Sequence, residues 1–165
     1  TATTEIYTLS YTTLFRSSSL TIPCLKEVIH LHSPDIIFLC ETKNQKKFLN
    51  GFKRKIGYEE MVLVEPVGKA GGLTVFWKNT TKVLNVLFTP FTIELLLNDD
   101  NESGNWWCIF VYASTDDKIR KKQWDCLCSR NNIWGKNKIL IGDFNDIISN
   151  DEKWGGQNTT KLDFL

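Results

Sequence analysis
Histidine is scarce in this chain of 165 residues: His30 and His32 are the only two. Ser129 and the other serines have no base near them in the sequence, so a Ser-His-Asp hydrolase gets little support. The five cysteines (Cys24, Cys40, Cys108, Cys126 and Cys128) are odd in number and include no Cys-x-x-Cys pair. Cys126-x-Cys128 is a poor zinc half-site, and the set reads as reduced, structural thiols of an intracellular protein. No apolar run approaches the roughly 18–20 residues of a membrane span. A secretory signal, with its basic start and long apolar core, is also missing, so the Asn-x-Ser/Thr triplets at Asn79, Asn101 and Asn158 read as chance matches. The expected compartment is nuclear or cytoplasmic. Charge of one sign is lacking too: 20 basic against 19 acidic residues give +1, which argues neither for nor against a polyanionic partner. Gly68-Lys-Ala-Gly-Gly72 lacks the Gly-Lys-Ser/Thr ending of a phosphate loop and reads as a flexible connection between strands. No internal repeat is visible.

What is present suits one domain with a substantial core, 42% hydrophobic and 24% charged. Residues 1–19 are Thr/Ser-rich and aperiodic, and no regular structure is expected there. Leu25, Val28, Ile29 and His32 fall at helical spacing ahead of Ser33-Pro34. A strand over 35–40 follows. Phe48, Leu49, Phe52 and Ile56 then form one face of a second helix ending near Gly57. Met61–Val64, Leu73–Trp77, Val83–Phe88, Phe91–Leu97 and Trp106–Tyr112 are β-rich runs split by turn-forming segments, which suggests antiparallel sheet. A third helix is expected over Asp117–Trp134, with Trp124, Leu127 and Cys128 facing inward, and a strand over 138–142 after it. This order fits a sandwich of sheets with helices packed outside.

The segment that carries most chemistry is Lys138-Ile-Leu-Ile-Gly-Asp143-Phe-Asn145. An apolar strand ends in an acid and an amide two positions apart, which on a strand share a face. Such a pair can bind a metal, position a water and hold a phosphate oxygen. Pro34-Asp-Ile-Ile-Phe-Leu-Cys-Glu41 repeats the design. Trp106-Trp-Cys-Ile-Phe-Val-Tyr112 delivers a polar aromatic to its own end. Each has a plainer reading: Gly-Asp-x-Asn as a turn, Glu41 as a helix-capping acid for 42–56. Trp106 and Trp107 alternate faces, so at most one faces the core and the other is free to meet solvent or a base. Lys43, Lys46, Lys47, Lys53, Arg54 and Lys55 form a basic run without an acid, and Lys118, Arg120, Lys121 and Lys122 a second. Either suits phosphate-backbone contact or a solvated helix face.

His32-Ser-Pro-Asp-Ile-Ile-Phe-Leu-Cys-Glu41-Thr, Gly71-Gly-Leu-Thr-Val-Phe-Trp77, Phe110-Val-Tyr112 and Ile139-Leu-Ile-Gly-Asp143-Phe-Asn145 occur in an order that resembles the endonuclease/exonuclease/phosphatase superfamily, which includes DNase I. The tail Glu152-Lys-Trp-Gly-Gly156 is similar to the endonuclease region of plant LINE-type (non-LTR) retrotransposons. The resemblance implies an α+β fold, the DNase I-like four-layer sandwich of two mostly antiparallel sheets with flanking helices, over residues 20–165. Residues 1–19 would stand outside it. It also implies Mg²⁺-dependent hydrolysis of a phosphodiester, with Mn²⁺ as a substitute, DNA as partner, no membrane, and a reverse-transcriptase region in the parent polyprotein. By motif, Glu41 matches the metal-binding acid, Tyr112 the phosphate-contacting tyrosine, Asp143 the acid that orients or deprotonates the attacking water, and Asn145 the amide that holds phosphate and water. Two parts of the pattern are missing: an early strand ending in Trp-Asn, and a late Ser-Asp-His segment whose histidine bonds the phosphate. The expectation is an incomplete domain, weakly active or inactive. The alternatives are a non-catalytic nucleic-acid-binding relic and a phosphatase of the same superfamily acting on a lipid or small phosphate ester.

Overall fold
The structure, a computed structural model, describes residues 4–10, 21–66, 71–98 and 104–146. Among the described residues, three helices, α1 (Thr21–His32), α2 (Lys46–Lys55) and α3 (Asp117–Trp134), accompany eight strands. The strands are β1 (Ile6–Ser10), β2 (Ile36–Cys40), β3 (Glu60–Val64), β4 (Leu73–Trp77), β5 (Val83–Thr89), β6 (Thr92–Asn98), β7 (Asn105–Tyr112) and β8 (Lys138–Asp143). They form two four-stranded sheets, ordered β1-β2-β4-β3 and β5-β6-β7-β8. Each sheet has one parallel pairing, β1/β2 or β7/β8, and the others are antiparallel.

The sheets pack face to face because their strands are apolar on both sides. On β2, Ile36, Phe38 and Cys40 enter the core between the sheets, with Val75 and Trp77 of β4 and Ile93, Leu95 and Phe110 of the second sheet. Ile37 and Leu39 point the other way, into a layer with Leu25 of α1 and Leu49 and Phe52 of α2. Trp107, Ile109 and Val111 of β7 meet Leu127 and Trp134 of α3 on the outside of the second sheet. The result is the four-layer α/β sandwich expected from the sequence. Helix α3 starts where the Asp116 side chain accepts from the amides of Lys118 at 2.9 Å and Ile119 at 3.0 Å, which pairs two of the donors a helix start leaves free.

Four expectations need correction. Residues 1–19 are not without regular structure, since Ile6–Ser10 pairs in parallel with Ile36–Cys40. Threonine and tyrosine suit strands, and β2 has backbone groups that need a partner on that side. The β-rich middle is not a single antiparallel sheet: β3 and β4 join β2, whereas β5–β7 belong to the other sheet. Cys128 is exposed, because the inner face of α3 runs through Arg120, Trp124, Leu127 and Trp134. Trp106 and Trp107 do take opposite faces, but both faces are covered. Trp106 packs against the core between the sheets, and Trp107 is buried against α3.

Candidate active site
The parallel pairings bring strand ends to one edge of the sandwich. β2 runs out into Glu41, β7 ends in Tyr112, and β8 ends in Asp143, which is in register with Tyr112. The Tyr112 hydroxyl donates to Glu41 Oε1 across the two sheets. Glu41 Oε2 is buried and has no hydrogen-bond partner, and Lys43 Nζ makes an ion-pair contact with it at 4.0 Å. Burial pushes the Tyr112 phenol above its ordinary range, reinforced by the bond to Glu41 and by the negative charges of Glu41 and Asp143. The phenol therefore stays protonated at neutral pH and remains a donor.

The backbone around these groups is unusual. Among the described residues, the non-glycine positions with positive φ are Ser33, Glu41 (55°), Lys43 (49°) and Asn145 (48°), so three of the four sit at this edge. Left-handed backbone costs a side-chain-bearing residue roughly 1–3 kcal/mol and persists where the surroundings enforce it. Here the enforcement is visible. The Thr42 and Lys43 amides bond the carbonyls of Gly72 (3.1 Å) and Gly71 (3.2 Å). Gly72 has φ +90°, and a Cβ there would lie 2.6 Å from Thr42 Oγ1. The Gly71-Gly72 pair thus lets the β4 entry lie against the Glu41 loop. Glu41 does not cap α2, whose N-cap is Gln45.

On the other strand, Gly142 has φ +147°, and a Cβ would stand 1.9 Å from the Val111 carbonyl oxygen. No other residue fits between β7 and Asp143. Asp143 Oδ1 accepts the Asn145 amide at 2.9 Å, and Asn145 Nδ2 donates to the Ala113 carbonyl at 2.8 Å. The turn reading and the site reading of Gly-Asp-x-Asn therefore describe the same four residues. Shared strand face is the wrong reason for the pairing, since β8 stops at Asp143 and Asn145 is left-handed. A side-chain-to-backbone turn brings the two together.

The basic run divides. Lys43 lies beside Glu41. Lys46 and Lys47 stand in the first turn of α2. Lys53 Nζ donates to the Glu59 carbonyl at 2.5 Å and Arg54 Nε to the Asn50 carbonyl at 3.4 Å, so both are partly engaged by the chain itself. Lys47 and Lys55, with Lys26 and the half-exposed Phe48, line an open groove of about 510 Å³ between α1 and α2. In the second run Arg120 is buried and bonded to Asp117 and to the Ser114 and Thr115 carbonyls, which removes it from any surface role. Sequence reading missed Phe144, Asp146, Arg120 and Trp124 as a group, because they meet only through the packing of α3 beside β8. Glu152–Gly156 lies outside the described residues. Among the described residues, no three His, Cys, Asp or Glu side chains converge as a metal cluster, and no helix is long and apolar enough to cross a membrane.

Solved structures share this architecture. An AP endonuclease from Archaeoglobus fulgidus aligns with TM-score 0.59 and 16% identity over 84% of this chain. An endonuclease/exonuclease/phosphatase family protein from Bacteroides thetaiotaomicron gives 0.63 and 12% over 85%. The human Nocturnin catalytic domain, with a bound sulfate anion, gives 0.56 and 19% over 76%. The chain has the DNase I-like fold of the endonuclease/exonuclease/phosphatase proteins. It spans 55%, 62% and 57% of those three chains, respectively. No protein-family model matches the sequence, and no curated protein does.

Proposed function
We propose that this chain carries the metal-binding and water-orienting part of a phosphodiester-hydrolysing site, of the DNA endonuclease kind found in LINE-type retrotransposons. The observation that carries the reading is Glu41. One of its oxygens is fixed by a protonated tyrosine and the other is buried without a donor, on strained backbone, facing the strand end that bears Asp143. A buried carboxylate oxygen with no partner is costly, and a cation is the partner that relieves it. A lone carboxylate suits Mg²⁺, which keeps several waters and takes phosphate oxygens as further ligands. Bound there, the ion would neutralise charge developing on the phosphate.

The chain's own groups supply the rest. Tyr112 holds Glu41 in place and keeps its proton for donation. Asp143 is the base for a water in hydrogen-bond reach, a role typically worth about 10²–10⁴-fold. Asn145 adds a donor without adding negative charge. Lys43 and the first turn of α2 provide cations for the DNA backbone. The resemblance also expects a phosphate-binding histidine, and none follows His32 in these 165 residues. Residues that act as a unit lose activity steeply when one is absent, so turnover by this chain alone is expected to be weak.

Two measurements test this. Mn²⁺ binding, followed by electron paramagnetic resonance, should be lost in Glu41→Gln and kept in Asp143→Asn. Relaxation of supercoiled plasmid should be slow or undetectable, should require Mg²⁺, and should vanish in Glu41→Ala and Asp143→Ala. Failure of the wild-type chain to bind the ion would leave only a non-catalytic relic. Displacement of bound duplex DNA by lipid headgroups would move the substrate to a phosphate monoester or lipid.

A further inference from the structure
We propose that Asp146, Arg120, Trp124 and Phe144 form a clamp that positions Asp143 and Asn145, with helix α3 rather than the sheet setting the geometry of the water-orienting pair. The catalytic meaning of the clamp rests on the function proposed above. Its existence as a positioning device does not.

β8 stops at Asp143, so its ladder gives no support to the next three residues. Asn145 is left-handed, a conformation asparagine tolerates, and its own bonds to Asp143 and to the Ala113 carbonyl hold the turn locally. The residues on either side of it are held from α3. The Phe144 ring lies flat on Trp124, with centroids 5.5 Å apart and planes 8° from parallel. Trp124 Nε1 donates to Asp146 Oδ2 at 3.1 Å. Arg120 Nε lies 3.2 Å from the same oxygen, an ion-pair contact without hydrogen-bond angles. The other end of the guanidinium donates to the Ser114 carbonyl at 3.0 Å and the Thr115 carbonyl at 3.1 Å. Arg120 therefore joins the segment leaving β7 to the segment leaving β8. Asn145 spans the same two segments through its bond to the Ala113 carbonyl.

The charges argue for positioning. The side chains of Arg120 and Asp146 retain only 10% and 16% of their exposure. Burying such a pair costs desolvation that an apolar contact avoids, and the Phe144–Trp124 stack already supplies an apolar contact. What the pair adds is direction: the indole N–H bonds Asp146 Oδ2, the guanidinium lies 3.2 Å from the same oxygen, and Asn145 precedes Asp146 by one residue. A shift of about 1 Å in such a group can cost on the order of 100-fold in rate.

The test uses the full 165-residue chain with Asp146→Asn, Arg120→Lys and Trp124→Phe, the last keeping the stack but losing the N–H. Amide hydrogen exchange is read at Asn145, whose N–H bonds Asp143, and at Leu95 and Phe110 in the sheet as a reference. All three variants should speed exchange at Asn145, Asp146→Asn on the order of tenfold, with Leu95 and Phe110 unchanged. Where plasmid nicking is measurable, kcat should fall with the KM for plasmid unchanged. If Asn145 exchange stays at its wild-type rate, or rises in step with the sheet amides, the clamp is only a contact of the fold and the proposal fails. Arg120→Lys and Trp124→Phe are mild enough to decide the matter if Asp146→Asn does not fold. A wild-type chain that binds no metal and nicks nothing sinks the nuclease reading and leaves the exchange result to judge the clamp.

Discussion
Two glutamates inside the sandwich meet opposite fates. Glu94 on β6 is fully buried beneath α3 and has every oxygen engaged. Oε1 accepts from Arg130 Nε at 2.8 Å and from the Thr92 hydroxyl at 3.1 Å, and Oε2 from Arg130 Nη2 at 2.7 Å and Trp134 Nε1 at 2.8 Å. Glu41, just past the end of β2, has one oxygen hydrogen-bonded and one with no hydrogen bond, only the Lys43 ammonium 4.0 Å away. Glu94 also sits on ordinary strand backbone, whereas Glu41 is forced left-handed. Buried polar groups are almost always paired, so an unpaired one on strained backbone calls for an explanation beyond the fold. The difference separates a carboxylate that serves stability from the one to which the proposed function assigns a cation.

The largest expected effect falls on the satisfied carboxylate. Glu94→Gln keeps the shape but leaves the Arg130 guanidinium, whose charge the bond to Glu94 favours, without its counter-ion. Breaking a largely buried pair from one side should cost about 2–4 kcal/mol, read as a lower denaturant midpoint at unchanged slope. A loss below about 1 kcal/mol would place Glu94 and Glu41 in the same class and dissolve the comparison. The next effect tests the frame that imposes strain on Glu41. Gly72→Ala forces a methyl against Thr42 Oγ1 and puts alanine at φ +90°, so it should cost roughly 1–3 kcal/mol. It should also weaken Mn²⁺ binding, because the Glu41 loop must shift. Stability lost with metal binding intact would detach the glycine pair from the site.

The sequence reading reached most of the fold because the strands carry their own signals. β2 is an unbroken apolar run and β4 is broken only by Thr74, and both are buried on both faces in the sheet interior. Asp116 and Gly135 mark the two ends of α3. Tyr112 and Asp143 were nameable as candidates for the same reason, since each ends a strand, and Glu41 directly follows one, whereas Asn145 lies in the turn beyond β8. The reasons behind them were less legible. Nothing local shows that Gly142 is required by a carbonyl 1.9 Å from its missing Cβ, or that Asn145 turns back to Ala113. Glu94 was invisible as a buried acid: within Thr92-Ile-Glu-Leu-Leu it looks like the one solvent-facing residue of a strand. Arg130 and Trp134, spaced one helical turn apart, come from 36 and 40 residues further along. Arg120 was read with its lysine neighbours for the same reason, because burial is set by packing that no short window contains.

The smallest effect has the opposite sign. Glu41→Gln retains an acceptor for the Tyr112 hydroxyl and removes a charge that is half-satisfied and largely buried. Stability should hold or rise by up to about 1 kcal/mol, as expected where a site is maintained at the expense of the fold. Mn²⁺ binding should disappear in the same variant. The pH dependence gives a second reading. The Tyr112 pKa is raised in the folded chain, so the protonated phenol supports the fold fully below the ordinary tyrosine value of 10.0, and that support is lost as pH rises beyond it. Burial is the main cause of the shift and remains in Glu41→Gln, but the Glu41 charge is gone. The tyrosine should then ionise at lower pH than in the wild type and still above a free tyrosine, followed by ultraviolet difference absorbance. A Glu41→Gln chain that unfolds as readily as Glu94→Gln would mean that the two carboxylates do the same work. The unpaired oxygen of Glu41 would then give no grounds for assigning it a metal.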